Sequence, residues 1–216
     1  MIILGLTGSI GMGKSTAANM LRRIGAPLFD ADAEVHRLLA PGGRAVRAVA
    51  AAFPGVRDEA GGIDRQRLGQ RVFGDPAARR RLEAIVHPMV RAAERRFLAQ
   101  AHARHEPVVV LDIPLLFETH GTERCDAVLV VSAPARLQRE RVMRRPGMTE
   151  ARFAGILEAQ MPDREKRRRA DFVVATALGR GVTFRRLKGI VRALRRGEWP
   201  RHAGRRHGGR RRCARS

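Results

Sequence analysis

The sequence predicts an α/β fold built around a parallel sheet. Short, continuous apolar runs alternate with segments whose apolar residues recur every three to four positions, as expected for buried parallel strands separated by helices. The first apolar run leads directly into a loop rich in glycine. The runs that predict strands lie at residues 2–7, 27–30, 108–111, 127–131 and 172–175.

Helices are predicted between these runs. Residues 14–24 and 32–40 have apolar side chains at helical spacing, and each segment is followed by glycine or by proline and glycine. Residues 42–105 show no strand pattern and are predicted to be mostly helical. We expect Pro88 to stand in the first turn of one of these helices, since proline is favoured there. Residues 153–161 predict a further helix.

Length and composition limit the class of protein. A chain of 216 residues with 44% hydrophobic residues can bury one sizeable core. No apolar run approaches the ~18 residues of a membrane-spanning helix, so we expect no membrane association. The amino end lacks a basic region and a cleavage site, and two cysteines cannot form a disulfide framework. These features predict a cytoplasmic protein.

The positive charge is concentrated near the carboxyl end. The net charge is +22, and the last 39 residues hold 14 of the 43 Lys and Arg side chains but a single acidic residue, Glu198. Residues 198–216 have the composition of a disordered tail. Arginine-rich segments bind phosphate backbones without sequence preference, so nucleic acid is expected as a partner only through non-specific binding of this tail.

Residues 8–15 match the phosphate-loop pattern G-x-x-x-x-G-K-[ST] at every fixed position. The glycines allow the backbone to curl until several N–H groups point at one anion, and the following helix adds its positive end. Lys14 brings a cation to the outer phosphates, and Ser15 offers a hydroxyl to Mg²⁺. The sequence therefore predicts binding of a nucleoside triphosphate with Mg²⁺, through Gly8, Gly11, Met12, Gly13, Lys14, Ser15 and Thr16.

Acidic residues follow two further predicted strands. Asp30 and Asp32 come after the second strand, and a carboxylate there can accept the proton of an attacking hydroxyl. An aspartate at this place is equally suited to cap the next helix, and we expect one of the two to do so. Asp112 ends the third strand, where a carboxylate can reach the water shell of Mg²⁺.

A cluster of arginines precedes Pro146. Guanidinium groups can stabilise the charge that spreads over a transferring phosphoryl group, so Arg139, Arg141, Arg144 and Arg145 are all candidates for this role on a mobile lid. A solvated helix face is the alternative for each of them. His87 is a candidate contact to the phosphoryl acceptor or, alternatively, a cap beside Pro88.

These motifs together resemble the dephospho-coenzyme A kinase family, over about residues 1–172. The resemblance rests on residues 6–16 with the phosphate loop, Asp30-Ala31-Asp32, His87-Pro88 and the run Asp112-Ile113-Pro114-Leu115-Leu116-Phe117-Glu118. It continues with Gln138, Arg141, Gln160 and Ala170-Asp171. Where similar proteins carry Asp or Asn after Val174, this chain has Ala175.

The resemblance implies a phosphate-loop kinase core with a five-stranded parallel sheet, within one kinase domain of residues 1–197. A helical acceptor-binding insertion at about 42–106 and a lid at about 138–163 would complete it. The implied reaction is ATP-dependent phosphorylation of the ribose 3′-hydroxyl of dephospho-coenzyme A, by a monomer or small homo-oligomer. The alternatives are another nucleoside or nucleotide kinase of the same build and a phosphate-loop ATPase with a nucleic-acid-binding tail.

The resemblance also implies roles for single residues. Asp32 would be the base that deprotonates the 3′-hydroxyl, while Lys14, Arg141 and Arg145 would stabilise the transferring phosphoryl group. Thr7, Asp32 and His87 would lie at the substrate, and Ser15 and Asp112 would hold the metal. These roles are expectations at this point.

Overall fold

The computed structural model describes residues 1–198, which form two compact units. The first unit consists of residues 1–29 and the chain from residue 104 onward, and the second is Asp30–Ala103. The helical insertion expected at 42–106 falls largely within the second unit. Most of the predicted tail, residues 199–216, lies outside the described residues.

A five-stranded sheet forms the centre of the first unit, in the order β2-β3-β1-β4-β5. β1 pairs in parallel with β3 and β4, and β4 pairs in parallel with β5. Every residue of β3 and β4 is buried, which explains why these strands are continuous apolar runs. The strands are β1 (Ile2–Thr7), β2 (Leu28–Asp30), β3 (Val108–Asp112), β4 (Ala127–Ser132) and β5 (Phe172–Ala175).

Nine α-helices lie within residues 1–198. They are α1 (Lys14–Arg23), α2 (Ala31–Leu39), α3 (Val46–Ala52), α4 (Arg65–Val72), α5 (Pro76–Ala103), α6 (Ala135–Met143), α7 (Glu150–Glu158), α8 (Asp163–Arg169) and α9 (Arg180–Arg196). In the first unit α1 and α9 pack side by side, and their apolar residues join the sheet in one core. Leu21 and Leu187 are completely buried in it.

The second unit consists of α2 to α5 around a separate apolar cluster. α5 packs against the other three helices of this unit. Aspartates begin two of its helices: Asp64 accepts hydrogen bonds from the backbone N–H groups of the first turn of α4, and Asp75 does the same for α5.

The expectation that Pro88 starts a helix is wrong. α5 runs through it as one helix of 28 residues, so His87 is not a helix cap either. A proline inside a helix leaves the carbonyl four residues earlier, here that of Ala84, without its usual partner. Ala84, His87 and Pro88 are all exposed, so water can satisfy that carbonyl. The sequence predicts a helix start at Pro88 because proline is far more common in first turns than in helix interiors.

The helix predicted at residues 153–161 begins earlier and ends earlier, as α7. Its start is fixed by Thr149, whose hydroxyl accepts a hydrogen bond from the N–H of Arg152 at 3.2 Å. Among residues 1–198 there is no helix that combines the length and apolar character needed to cross a membrane.

Candidate active site

The glycine-rich loop joins β1 to α1 at the carboxyl edge of the sheet. Gly11 and Gly13 have φ angles of 75° and 89°, which L side chains rarely adopt. A Cβ atom on Gly8 would lie 2.6 Å from Val131 Cγ2 and 2.8 Å from its carbonyl oxygen. The loop therefore needs glycine for its conformation at two positions and for close packing at a third. The phosphate-loop pattern predicts two of these three glycines, Gly8 and Gly13.

The helix that follows the loop begins without a side-chain cap. Its N-cap is Gly13, and its first turn contains no acidic residue. The N–H groups of the first turn have no partner within the helix, and they carry the positive end of the helix dipole. Lys14, Ser15 and Thr16 stand in this turn. The arrangement favours an anion in front of α1.

Lys14 Nζ lies 2.8 Å from Asp112 Oδ1. The pair forms because β1 and β3 are neighbours, with Leu6 opposite Asp112, so Asp112 ends its strand beside the loop. The side chain of Asp112 is 3% exposed and that of Lys14 is 18% exposed. A cation held beside a buried carboxylate at the mouth of the loop is available to a phosphate that binds there.

Protein groups satisfy the outer side of the loop. Thr176 Oγ1 donates to the Met12 carbonyl at 2.8 Å. Arg141 Nη1 donates to the Gly11 carbonyl at 3.3 Å and to Thr176 Oγ1 at 3.1 Å. The N–H of Ala133 lies 3.0 Å from the sulfur of Met12. Carbonyl groups that would repel a phosphate are thus turned towards donors outside the loop.

Two glutamines hold Ile10, at the tip of the loop. Gln138 Nε2 donates to the Ile10 carbonyl at 2.8 Å, and the Ile10 N–H donates to Gln160 Oε1 at 3.1 Å. Thr7, at the end of β1, is completely buried, and its hydroxyl donates to the Pro114 carbonyl at 2.8 Å. Thr7 thereby ties β1 to the turn that follows Asp112.

The structure brings together some of the predicted site residues and separates others into different units. Lys14, Asp112 and Arg141 all contact or border the loop in the first unit. Arg145 also belongs to this unit but is exposed, beyond the end of α6. Asp32 and His87 belong to the second unit.

The two aspartates after β2 have different surroundings. Asp30 is the N-cap of α2, and its Oδ1 accepts a hydrogen bond from the Ala33 N–H at 3.0 Å. This confirms that one of the two caps the helix. Asp32 stands in the first turn of α2 and is exposed. His87 is exposed in the middle of α5.

Two side chains beside the loop could hold Mg²⁺. No group of three or more His, Cys, Asp or Glu side chains suited to a metal occurs within residues 1–198. Mg²⁺ is commonly held by one or two protein oxygens together with substrate phosphates and water, and it needs no such group. The Ser15 hydroxyl on the first turn of α1 and the Asp112 carboxylate beside the loop are oxygen donors of that kind.

Sequence reasoning missed Thr176 altogether. It follows β5 directly, and its amide also donates to the Ser132 carbonyl at 2.9 Å. A threonine after a strand has no distinctive pattern, so no signal marked it in a single sequence. Gln138 and Gln160 were noticed only as part of a family resemblance, since an isolated glutamine does not indicate a chemical role.

The fold and the loop define the class of the protein. The first strand of a parallel sheet leads through a fully matched phosphate loop into a helix without a side-chain cap, and a lysine–aspartate pair lies beside the loop. These features together define a phosphate-loop nucleotide-binding core.

Comparison with known proteins identifies the family. The family model for dephospho-CoA kinase matches residues 2–178. A dephospho-CoA kinase of Paramagnetospirillum magneticum is 65% identical over 201 residues, covering 93% of each chain. Another, from Rhodospirillum rubrum, is 56% identical over 196 residues, covering 91% of this chain and 93% of that protein. The chain belongs to the dephospho-CoA kinase family and is therefore a kinase.

Solved structures agree with this fold. The crystal structure of TT1252 from Thermus thermophilus has a TM-score of 0.76 and 39% identity, covering 89% of this chain and 96% of that one. A dephospho-CoA kinase from Campylobacter jejuni has a TM-score of 0.61 at 23% identity, with 89% of this chain and 96% of that one covered.

Proposed function

We propose that the protein transfers the γ-phosphoryl group of ATP to the ribose 3′-hydroxyl of dephospho-coenzyme A, giving coenzyme A and ADP. This is the last step of coenzyme A synthesis. The single observation that carries the chemistry is the Lys14–Asp112 pair, 2.8 Å apart beside a complete phosphate loop. Membership of the family supports the choice of acceptor.

The loop and the start of α1 bind the phosphates of ATP. Backbone N–H groups of Gly11 and of residues 13–16 supply fixed donors, because the carbonyl groups of Gly11 and Met12 are engaged on the outer side. Lys14 contacts the outer phosphates and stabilises the charge that develops as the bond to the leaving oxygen of ADP breaks.

Mg²⁺ would be held by Ser15 and Asp112, and it neutralises negative charge on the phosphates of ATP when bound. Asp112 is suited to this position because it is buried and fixed at the end of β3. Its negative charge also orients Lys14 before ATP binds. The same carboxylate therefore serves both the metal and the lysine.

Asp32 accepts the proton of the 3′-hydroxyl as that oxygen attacks the γ-phosphorus. Within the second unit it is the better candidate of the two neighbouring aspartates, because Asp30 is engaged as the cap of α2. Asp32 is exposed, so its carboxylate is available to a substrate hydroxyl. Thr7 and His87 are assigned to the substrate region on the resemblance of the motifs.

Arginines complete the site on the side of α6. Arg141 supports the loop by donating to the Gly11 carbonyl, and the resemblance of the motifs assigns it, together with Arg145, to the transferring phosphoryl group. Arg145 is exposed and reaches the phosphoryl group when the segment from about 138 to 163 closes over ATP. Closure would also exclude water, which competes with the acceptor. The enzyme is assigned to the cytoplasm, where its buried Cys125 stays reduced.

The test is an acceptor panel with purified protein, ATP and Mg²⁺. We expect ADP to form at a substantial rate only with dephospho-coenzyme A, and we expect mass spectrometry with fragmentation to place the new phosphate on the 3′-oxygen. Nucleosides and nucleotides form the rest of the panel. A preference for one of them would identify another kinase of the same build. ATP hydrolysis that dephospho-coenzyme A leaves unchanged would refute the kinase assignment.

A further inference from the structure

We propose that Gln138 and Gln160 are positioning residues that set the affinity for ATP by fixing the tip of the phosphate loop. The inference deepens the proposed function and rests on it, since it concerns the same phosphate site. Neither glutamine has to touch ATP for this role. They act through Ile10, which both of them contact.

The two contacts fix two successive peptide groups. The Ile10 N–H belongs to the peptide between Ser9 and Ile10, and it donates to Gln160 Oε1 at 3.1 Å. The Ile10 carbonyl belongs to the next peptide and accepts from Gln138 Nε2 at 2.8 Å. In a trans peptide the C=O and N–H point in opposite directions. The bond from Gln138 therefore aims the Gly11 N–H away from α6.

This control is needed because the loop has little regular structure of its own. Gly11 has a φ angle of 75°, and glycine adopts several other conformations at similar cost. The turn bond from the Met12 N–H to the Ser9 carbonyl, at 3.1 Å, closes the loop but leaves the Ile10 peptides to outside partners. Without the glutamines, ATP binding would have to order these peptides, and the free-energy cost of that ordering would lower the affinity for ATP.

Both glutamines are themselves held in place. Gln138 stands in α6 and is 6% exposed. Beside Gln160, the Met161 N–H donates to Glu118 Oε1 at 2.8 Å. The same Oε1 lies 2.9 Å from the Nζ atom of Lys166, a residue that is completely buried in α8. This ion pair fixes the backbone next to Gln160.

The positions of the glutamines in the chain add a second consequence. Gln138 lies near the start of the segment proposed as a lid, and Gln160 lies near its end, just after α7. Both ends of the proposed lid are thus attached to the tip of the phosphate loop. Residues 139–159, with Arg141 and Arg145, lie between the two attachments.

Isosteric replacement of each glutamine tests the inference. Gln138→Met, Gln160→Met and the double variant keep the volume but lose the amide. We expect each single variant to raise the Kd for ATP, measured by calorimetry without acceptor, about 3- to 10-fold, as for the loss of one buried hydrogen bond. The KM for dephospho-coenzyme A stays at the wild-type value. In the double variant the increase is smaller than the product of the single effects, because both act on one residue.

Hydrogen exchange at the Ile10 amide provides a readout that does not depend on activity. We expect its protection to fall in Gln160→Met and to be retained in Gln100→Met, a control at an exposed glutamine of α5. If Gln160→Met does not fold, as judged by thermal unfolding, Gln160→Asn keeps the amide but shortens its reach. The same rise in Kd is expected for that variant.

Two results would overturn the inference. One is an unchanged Kd for ATP in both folded single variants, while the wild type binds ATP. The other is a fall in kcat and thermal stability with unchanged Kd, which is the behaviour of a purely structural contact. A wild-type protein that bound no ATP would instead refute the proposed function, and this inference with it.

Discussion

Lys14 Nζ and Asp112 Oδ1 are 2.8 Å apart, one at the start of α1 and the other at the end of β3. A phosphate that reaches Lys14 therefore meets a cation that is already ordered by a buried carboxylate. The ordering reduces the side-chain entropy lost on binding, since a free lysine loses up to about 2 kcal/mol when it is fixed.

Replacement of Lys14 tests the central contact of the site. Lys14→Met is expected to lower kcat/KM for ATP by about 10²- to 10³-fold, the usual cost of removing one donor to a developing charge. Lys188→Met, at an exposed lysine of α9, is the matched control and is expected to behave as the wild type. Comparable steady-state kinetics for the two variants would contradict the assignment.

The roles of the neighbouring residues Asp30 and Asp32 can be distinguished by making the same substitution at each. Asp32→Asn is expected to leave the Kd for ATP unchanged and to lower kcat by about 10²- to 10⁴-fold, as for loss of a general base. Asn caps a helix as well as Asp does, so Asp30→Asn is expected to retain stability and most of the turnover. Equal turnover for Asp32→Asn and the wild type would refute its role.

A methyl group at Gly11 is expected to disrupt the loop. The Cβ of Gly11→Ala would lie 2.6 Å from Val142 Cγ2 and 2.9 Å from the Gln138 carbonyl oxygen, at a φ angle unfavourable to alanine. We expect loss of ATP binding and a lower melting temperature. Gly155→Ala, in α7, is the control. No atom lies within 4 Å of the added Cβ, so this substitution is expected to raise the free energy of unfolding by about 0.5–1 kcal/mol. Calorimetry and thermal unfolding measure both effects.

The Thr176 hydroxyl is predicted to matter more than its methyl group. Thr176→Val removes the donor to Met12 and the acceptor for Arg141, and is expected to destabilise the protein by about 1–3 kcal/mol and to weaken ATP binding. Thr176→Ser keeps the hydroxyl and is expected to restore most of both. Denaturant unfolding and ATP titration provide the comparison, and identical behaviour of Val and Ser would show that the hydroxyl is unimportant.

The arginine-rich end is predicted to be dispensable for catalysis. A chain ending at Glu198 lacks the seven arginines of residues 199–216, and its kcat and KM are expected to equal those of the full chain. Its retention on a DNA column is expected to decrease, with a weaker dependence on salt. Loss of activity in a folded truncated protein would show that the tail belongs to the catalytic unit.

Most of the sheet could be predicted from the sequence because its strands are short apolar runs, of which β3 and β4 are buried along their whole length. The phosphate loop could be predicted because it needs glycine at fixed positions. The course of α5 through Pro88 could not, because it depends on which face of the helix meets water. The contacts that hold the loop could not be predicted either. Gln160 and Thr176 each contact it through a hydrogen bond to a residue more than 140 positions away in the chain.

The distance along the chain between the loop and its supports has a consequence for biosynthesis. The ribosome makes residues 8–15 almost first, but the side chains that shape them lie between 138 and 176. A nascent chain therefore lacks these contacts to its phosphate loop until Thr176, directly after β5, has emerged. ATP in the cell would thus bind more tightly to finished chains than to partial ones, and it would stabilise the finished chains more.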